Sequence, residues 1–266
     1  MSKKRTYMQE TNAPVENRTY DRMQARIYRS NELMGQAAAA DFAGITSNIL
    51  GKQKTAAVIF ACANSQLTFL KAIKGIKEIA WDRISVFHMD EYLGMSDRHP
   101  ASFARFIREK LVDDVHPAGF YPLNGNASDV KGELKRYTNL MRKYPPDVCV
   151  LGIGENGHLA FNDPPADFHT KELIHVVNLD LVCRTQQVNE GHFPTLDDVP
   201  KQALSLTVPA LIAPKHVLAI VPEKRKAAAV QACLERPVSP DCPASILRTQ
   251  SNVVLYLDQD SASSLR

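Results

Sequence analysis

Short apolar runs separated by amphipathic stretches organise this chain. "TAAVIFACA" (55–63) is continuously apolar and rich in β-formers, the mark of a strand buried on both faces. "RISVFHM" (83–89), "DVCVLGIG" (147–154), "HVLAIVP" (216–222) and "NVVLYLD" (252–258) read the same way. Between them the period changes to helical. Residues 30–50 carry Leu33, Met34, Ala37, Ala40, Ile45 and Ile49 near helical spacing, with Ser30 as N-cap and Gly51 as the stop. Leu67, Leu70, Ile73 and Ile76 predict a second helix that Asn64 or Ser65 can cap. "PASFARFIREKLVDDV" predicts a third with Pro100 near its first turn, and Lys224–Leu234 a further one. Strands alternating with helices predict an α/β fold: a single domain with a Rossmann-like, mostly parallel sheet and helices on both faces, over residues 24–266. Residues 1–23 have no sustained period and read as a polar arm, loosely attached and available for packing against a partner subunit.

Composition narrows the function classes. The 266 residues suffice for one large α/β domain, and 44% hydrophobic with 23% charged residues is ordinary for a globular chain. A formal charge of +3, with acids and bases mixed, gives no reason to expect nucleic acid. No apolar run approaches the roughly 20 residues that span a bilayer, and the first 21 residues lack a signal peptide's apolar core. The five widely spaced cysteines include no C-x-x-C pair, so free thiols in a reducing cytoplasm are expected.

Parallel sheets bind ligands beyond the carboxyl ends of their strands. At those points the chain places "ANSQ" (63–66), "DEY" (90–92), "GENGH" (154–158) and "PEKRK" (222–226), all polar. Asp90 and Glu91 are either solvated loop acids or include a base whose pKa is raised by burial, with Asp90 nearer the strand end. A lone histidine is commonly structural, but His158 has Asn156 and Asp163 within reach if the segment curls, and Gly152, Gly154 and Gly157 permit the curl. Lys226 is either a surface charge or, at a helix start, part of an anion site; Asn64, Ser65 and Gln66 either cap a helix or donate to the same anion. The G-x-G-x-x-G pattern is incomplete, which argues against a dinucleotide. His88, His99 and His158 lack metal-ligand spacing, and Ser65 and Ser102 lack a nucleophile-elbow context.

"VFHMDEYLGM", "HPASFARFIREKL", "LGIGENGHLAFNDPP", "VPKQALSLTVPAL", "KAAAV" and "CPASILR", in this order from about residue 25 onward, resemble the glucosamine-6-phosphate deaminase (isomerase) family, related to the 6-phosphogluconolactonases. Tyr92 and "LAFNDPP" favour the deaminase branch. The resemblance implies a cofactor-free conversion of glucosamine 6-phosphate to fructose 6-phosphate and ammonia, acting on a small sugar phosphate, with assembly into a homo-oligomer. It implies that Asp90 moves a proton between C2 and C1, that His158 opens the ring, and that Asn156 and Asp163 orient His158. Asn64, Ser65, Gln66, Glu91 and Lys226 are the expected substrate-binding residues, of which Lys226 is the cation that the resemblance carries over. The phosphate end departs from the family: "ACANS" (61–65) replaces a glycine- and threonine-rich loop, and Gly191 stands where an arginine is usual. Compensation would have to come from Arg184, His192, Lys224 or Arg225, or the substrate is not the usual phosphate. A lactonase-type hydrolase and a non-catalytic sugar-phosphate-binding regulator are the alternatives.

Overall fold

The computed structural model describes residues 13–266. Its strands are β1 (Glu16–Tyr20), β2 (Met23–Tyr28), β3 (Ala56–Phe60), β4 (Ile84–His88), β5 (Asp90–Tyr92), β6 (Gly119–Tyr121), β7 (Val148–Leu151), β8 (Ile174–Asn178), β9 (Gln202–Leu206), β10 (His216–Val221) and β11 (Val253–Asp258). The principal helices are α1 (Asn31–Leu50), α2 (Leu67–Lys74), α3 (Phe103–Ile107, prolonged by a π turn at Arg108–Val112 and by Asp113–Val115), α4 (Val130–Lys143), α5 (Leu181–Asn189), α6 (Val208–Ile212) and α7 (Ala227–Glu235). Eight strands form one sheet in the order β1-β2-β11-β10-β7-β3-β4-β6. Every neighbouring pair in it is parallel except β1 with β2.

The continuous apolar runs are explained by burial on both sides. In β3, Ala56, Val58 and Phe60 enter the core formed with Met34, Phe42 and Phe69 of α1 and α2, while Ala57 and Ile59 enter the opposite core with Tyr137 of α4 and Val230 of α7. Alternate residues of a strand point to opposite faces, so a strand covered twice has no polar side to show.

The structure corrects the sequence reading at several points. Ser30 does cap α1, accepting from the Leu33 N–H at 3.3 Å. Pro100 lies outside α3, which starts at Phe103 with Ser102 as its cap. Neither Asn64 nor Ser65 caps α2; a 3-10 turn, Asn64–Gln66, leads into it without a side-chain cap. The polar arm is in part structural: Glu16–Tyr20 pairs antiparallel with β2 and closes one edge of the sheet, because two residues suffice to turn a hairpin at Asp21 and Arg22. Residues 1–12 of that arm lie outside the described residues. A second, antiparallel sheet, β5-β9-β8, was not expected at all. No described helix is long and apolar enough to cross a membrane.

Candidate active site

The chain beyond β4 leaves the main sheet at once. The Met89 carbonyl accepts from the Leu206 N–H at 2.8 Å, and the next three residues pair with β9 as β5. Because strand side chains alternate, Asp90 and Glu91 part company here. Asp90 lines a cleft at the carboxyl ends of the parallel strands. Burial, with the negative charge of Glu91 adding to it, pushes its carboxyl well above the ordinary carboxylate range. Glu91 is not a cleft residue, which corrects its assignment to substrate binding. Its carboxylate accepts from the N–H groups of Tyr92 (3.0 Å), Phe103 (3.2 Å) and Ala104 (2.9 Å) and from the Ser102 hydroxyl (2.7 Å), so it anchors the start of α3.

The Asp90 main chain is itself held. The fully buried His88 ring has Nδ1 2.9 Å from the Asp90 carbonyl, while its Nε2 lies 2.9 Å from the Leu123 N–H. An N–H can only donate, so Nε2 is the acceptor and Nδ1 carries the proton. Burial lowers the pKa of His88 to about 4, and the ring is neutral at physiological pH.

After β7, the curl expected at "GENGH" forms. The Gly154 N–H donates to the His158 carbonyl and the Gly157 N–H to the Gly154 carbonyl, each at 3.0 Å. Gly157 has φ +85°, and a methyl group on Gly154 would overlap the His158 ring, so the imidazole lies directly against a glycine backbone. His158 Nδ1 is 3.2 Å from Asp163 Oδ1, within ion-pair reach but off a straight hydrogen-bond line. The Asn156 amide donates to the same oxygen at 3.0 Å, and its carbonyl accepts from the His158 N–H at 3.1 Å. Burial alone would raise the Asp163 pKa, yet His158, Asn156 and the Asp180 N–H together hold it below the ordinary value. Asn156, His158 and Asp163 thus form one connected group, as the sequence expected. Cys183 Sγ joins His158 and Asp163, their donor atoms lying within 4.8 Å of one another, the one such group among the described residues. Burial keeps that thiol protonated, which works against its serving as a metal ligand.

The basic corner of the cleft is built differently from expectation. Ser65 and Lys226 line it, but Asn64 and Gln66 do not; the Gln66 amide donates to Ser65 Oγ (3.1 Å) and the Ile220 carbonyl (3.2 Å) beneath the floor. Lys226 is 4% exposed, and its ammonium has no hydrogen-bond or ion-pair partner among the described residues; burial and the neighbouring Arg225 guanidinium lower its pKa. Of the four candidate compensating residues, His192 and Arg225 reach the cleft. Arg184 instead donates to the carbonyls of Leu196 and Val199, and Lys224 is absent from the lining.

Glu190, Gln186 and Gln187, from α5 and its end, also line the cleft and were not anticipated. A helix N-capped by Asp180, with Gln186 and Glu190 four residues apart, is visible in "DLVCRTQQVNE", but nothing local indicates which way it points. Phe103 and Phe161 complete the wall, and Tyr92 packs behind both with ring centroids 5.0 and 5.4 Å away. The cleft holds a cavity of about 80 Å³ that opens to solvent. It presents a carboxyl poised toward neutrality and an imidazole backed by a carboxylate, a pair suited to moving protons at carbon and at oxygen.

A family model described as glucosamine-6-phosphate isomerases/6-phosphogluconolactonase matches residues 29–256. The chain is 37% identical over 182 residues to a glucosamine-6-phosphate deaminase of Exiguobacterium sibiricum, covering 68% of this chain and 71% of that one. It is 33% identical over 236 residues to the glucosamine-6-phosphate deaminase of Streptococcus suis, covering 89% and 97%. A solved structure described as a monomeric glucosamine-6-phosphate deaminase superposes with a TM-score of 0.82 at 29% identity, covering 90% and 99%. The fold is shared more distantly with a putative 6-phosphogluconolactonase of Neisseria gonorrhoeae (TM-score 0.70, 18% identity, 88% and 98% covered).

Proposed function

This chain belongs to the glucosamine-6-phosphate isomerase/6-phosphogluconolactonase family, and from that premise we propose that it is an amino-sugar-phosphate deaminase, converting glucosamine 6-phosphate to fructose 6-phosphate and ammonia. The observation that carries the reading is the facing of Asp90 and His158 into one cleft, with Asp163 against the His158 ring. His158 opens the pyranose by proton transfer at the ring oxygen, with Asp163 and Asn156 holding the imidazole. Asp90 takes the C2 proton and returns one at C1, which leaves an imine at C2. Water adds to that imine and ammonia leaves, giving the keto sugar phosphate. Both proton transfers use groups of the chain itself. Ser65 and Lys226 are the two sequence-assigned binding residues that the cleft retains.

The same reading places the enzyme in a reducing cytoplasm, which its five free cysteines support. The homo-oligomer expected for it has less to rest on, since part of the arm meant for a partner is a strand of this chain's own sheet. Sedimentation velocity separates monomer from oligomer directly.

Ammonia release from glucosamine 6-phosphate tests the function. The wild-type chain releases it, and Asp90→Asn does so at least about a hundredfold more slowly, as expected when a general base is removed. Wild-type protein that releases none from this sugar overturns the reading.

A further inference from the structure

The basic corner already contains an anion. Glu190 lines the cleft, its side chain 8% exposed, and its Oε1 accepts from Arg225 Nη1 at 2.6 Å and from the Gln186 amide at 2.8 Å. Its Oε2 lies 3.3 Å from His192 Nε2. Arg225 Nη1 also donates to Glu155 (3.1 Å) and its Nε to Glu223 (2.5 Å), and neither of these acids lines the cleft. One guanidinium therefore serves three carboxylates. The buried ammonium of Lys226 beside it is unpartnered among the described residues. The two cations of this corner would hold a phosphate, but only one of them is free.

Resting on the deaminase reading, we propose that Glu190 is an internal competitor for the substrate's phosphate: it occupies the Arg225 and His192 contacts that an incoming anion needs, and so sets how well the cleft accepts a phosphorylated sugar. A phosphate dianion brought to Arg225 lies beside the Glu190 carboxylate, and like charges at hydrogen-bond separation repel. Either the carboxylate swings away as phosphate arrives, or phosphate binds through Lys226 alone. Both routes weaken phosphate binding relative to a cleft without this charge. Glu190 is thus a specificity-determining residue.

Calorimetric titration with inorganic phosphate tests this without turnover. Glu190→Gln keeps the shape and removes the charge, and is expected to bind phosphate at least about tenfold more tightly, the size of one lost charge-assisted contact. Glu190→Ala, which empties the position, tightens it as well. Glu223→Gln removes an equal charge from the same guanidinium outside the cleft, and is expected to alter phosphate affinity less than about threefold. Phosphate binding that is unchanged or weaker in both Glu190 variants overturns the proposal. So does an equal gain in Glu223→Gln, which would make the effect one of net charge and not of occupancy. If glucosamine 6-phosphate yields no ammonia while the Glu190 variants bind phosphate tightly, the assigned reaction fails and this inference stands. Ammonia release with unaltered phosphate affinity in the variants has the opposite meaning.

Discussion

Asp90 and Glu91 are chemically near-twins in the sequence, and the fold gives them unrelated tasks. One faces the cleft and the other faces α3, because they are consecutive residues of a strand. Position relative to the strand end favoured Asp90 as the acid, but it did not show that Glu91 serves α3 and not the substrate. His158, Asn156 and Asp163 were legible together because the contacts that join them span seven residues or fewer. Glu190 was not legible, since the cation that explains it, Arg225, is 35 residues away. The raised pKa of Asp90 carries a stability consequence. An acid whose pKa is raised by folding stabilises the folded state while protonated, and that contribution is lost as pH rises from the ordinary value of 3.8 through the folded value. Asp90→Asn removes the burden of ionisation, so this variant is expected to be more stable than wild type at pH 7 by roughly 1–2 kcal/mol. Below pH 3.8 the difference disappears. Urea midpoints at the two pH values measure it. In the active enzyme the acid limb of kcat/KM is expected above 3.8, since the base works only after it loses its proton.

At the scale of elements, the five long apolar runs and the amphipathic helices between them were readable because burial on two faces leaves a periodic trace. The three strands of the small sheet leave a weaker one. β5 is three residues long, and β8, with one buried residue followed by half-buried and exposed positions in turn, is not distinguished from a loop over five residues. The start of α3 shows how an element can depend on a distant group. Glu91 satisfies two N–H groups of that helix and the hydroxyl of its cap, Ser102. Glu91→Ala leaves these donors buried and unpaired, and is expected to lower stability by roughly 2–4 kcal/mol, seen as a fall in the thermal midpoint. Phe103, the first residue of α3, lines the cleft, so substrate affinity is expected to weaken in the same variant.

For the whole molecule, acid stability follows from which carboxylates are paired. The Glu190 pKa is lowered from 4.5 to about 2: burial would raise it, but His192, Arg225 and Gln186 outweigh that effect. Asp163 is lowered too. A depressed carboxylate contributes stability above its unfolded pKa and loses it as pH falls through the folded one. Unfolding free energy is therefore expected to drop between pH 4.5 and 2, and to drop less steeply in Glu190→Gln. Denaturant titrations across that window show whether it does.

The proposed acid–base residues Asp90, His158 and Asp163 all precede β8, whereas Glu190 and His192 lie on the connection between β8 and β9, which begins with α5. Both strands that flank this connection belong to the small antiparallel sheet, and neither has a place in the main one. In evolutionary terms the two sets of residues are separable inheritance. A lineage can rewrite residues 190–201, beyond the part of α5 that touches the His158–Asp163 pair, to suit a different sugar while the reaction passes unaltered from ancestor to descendant.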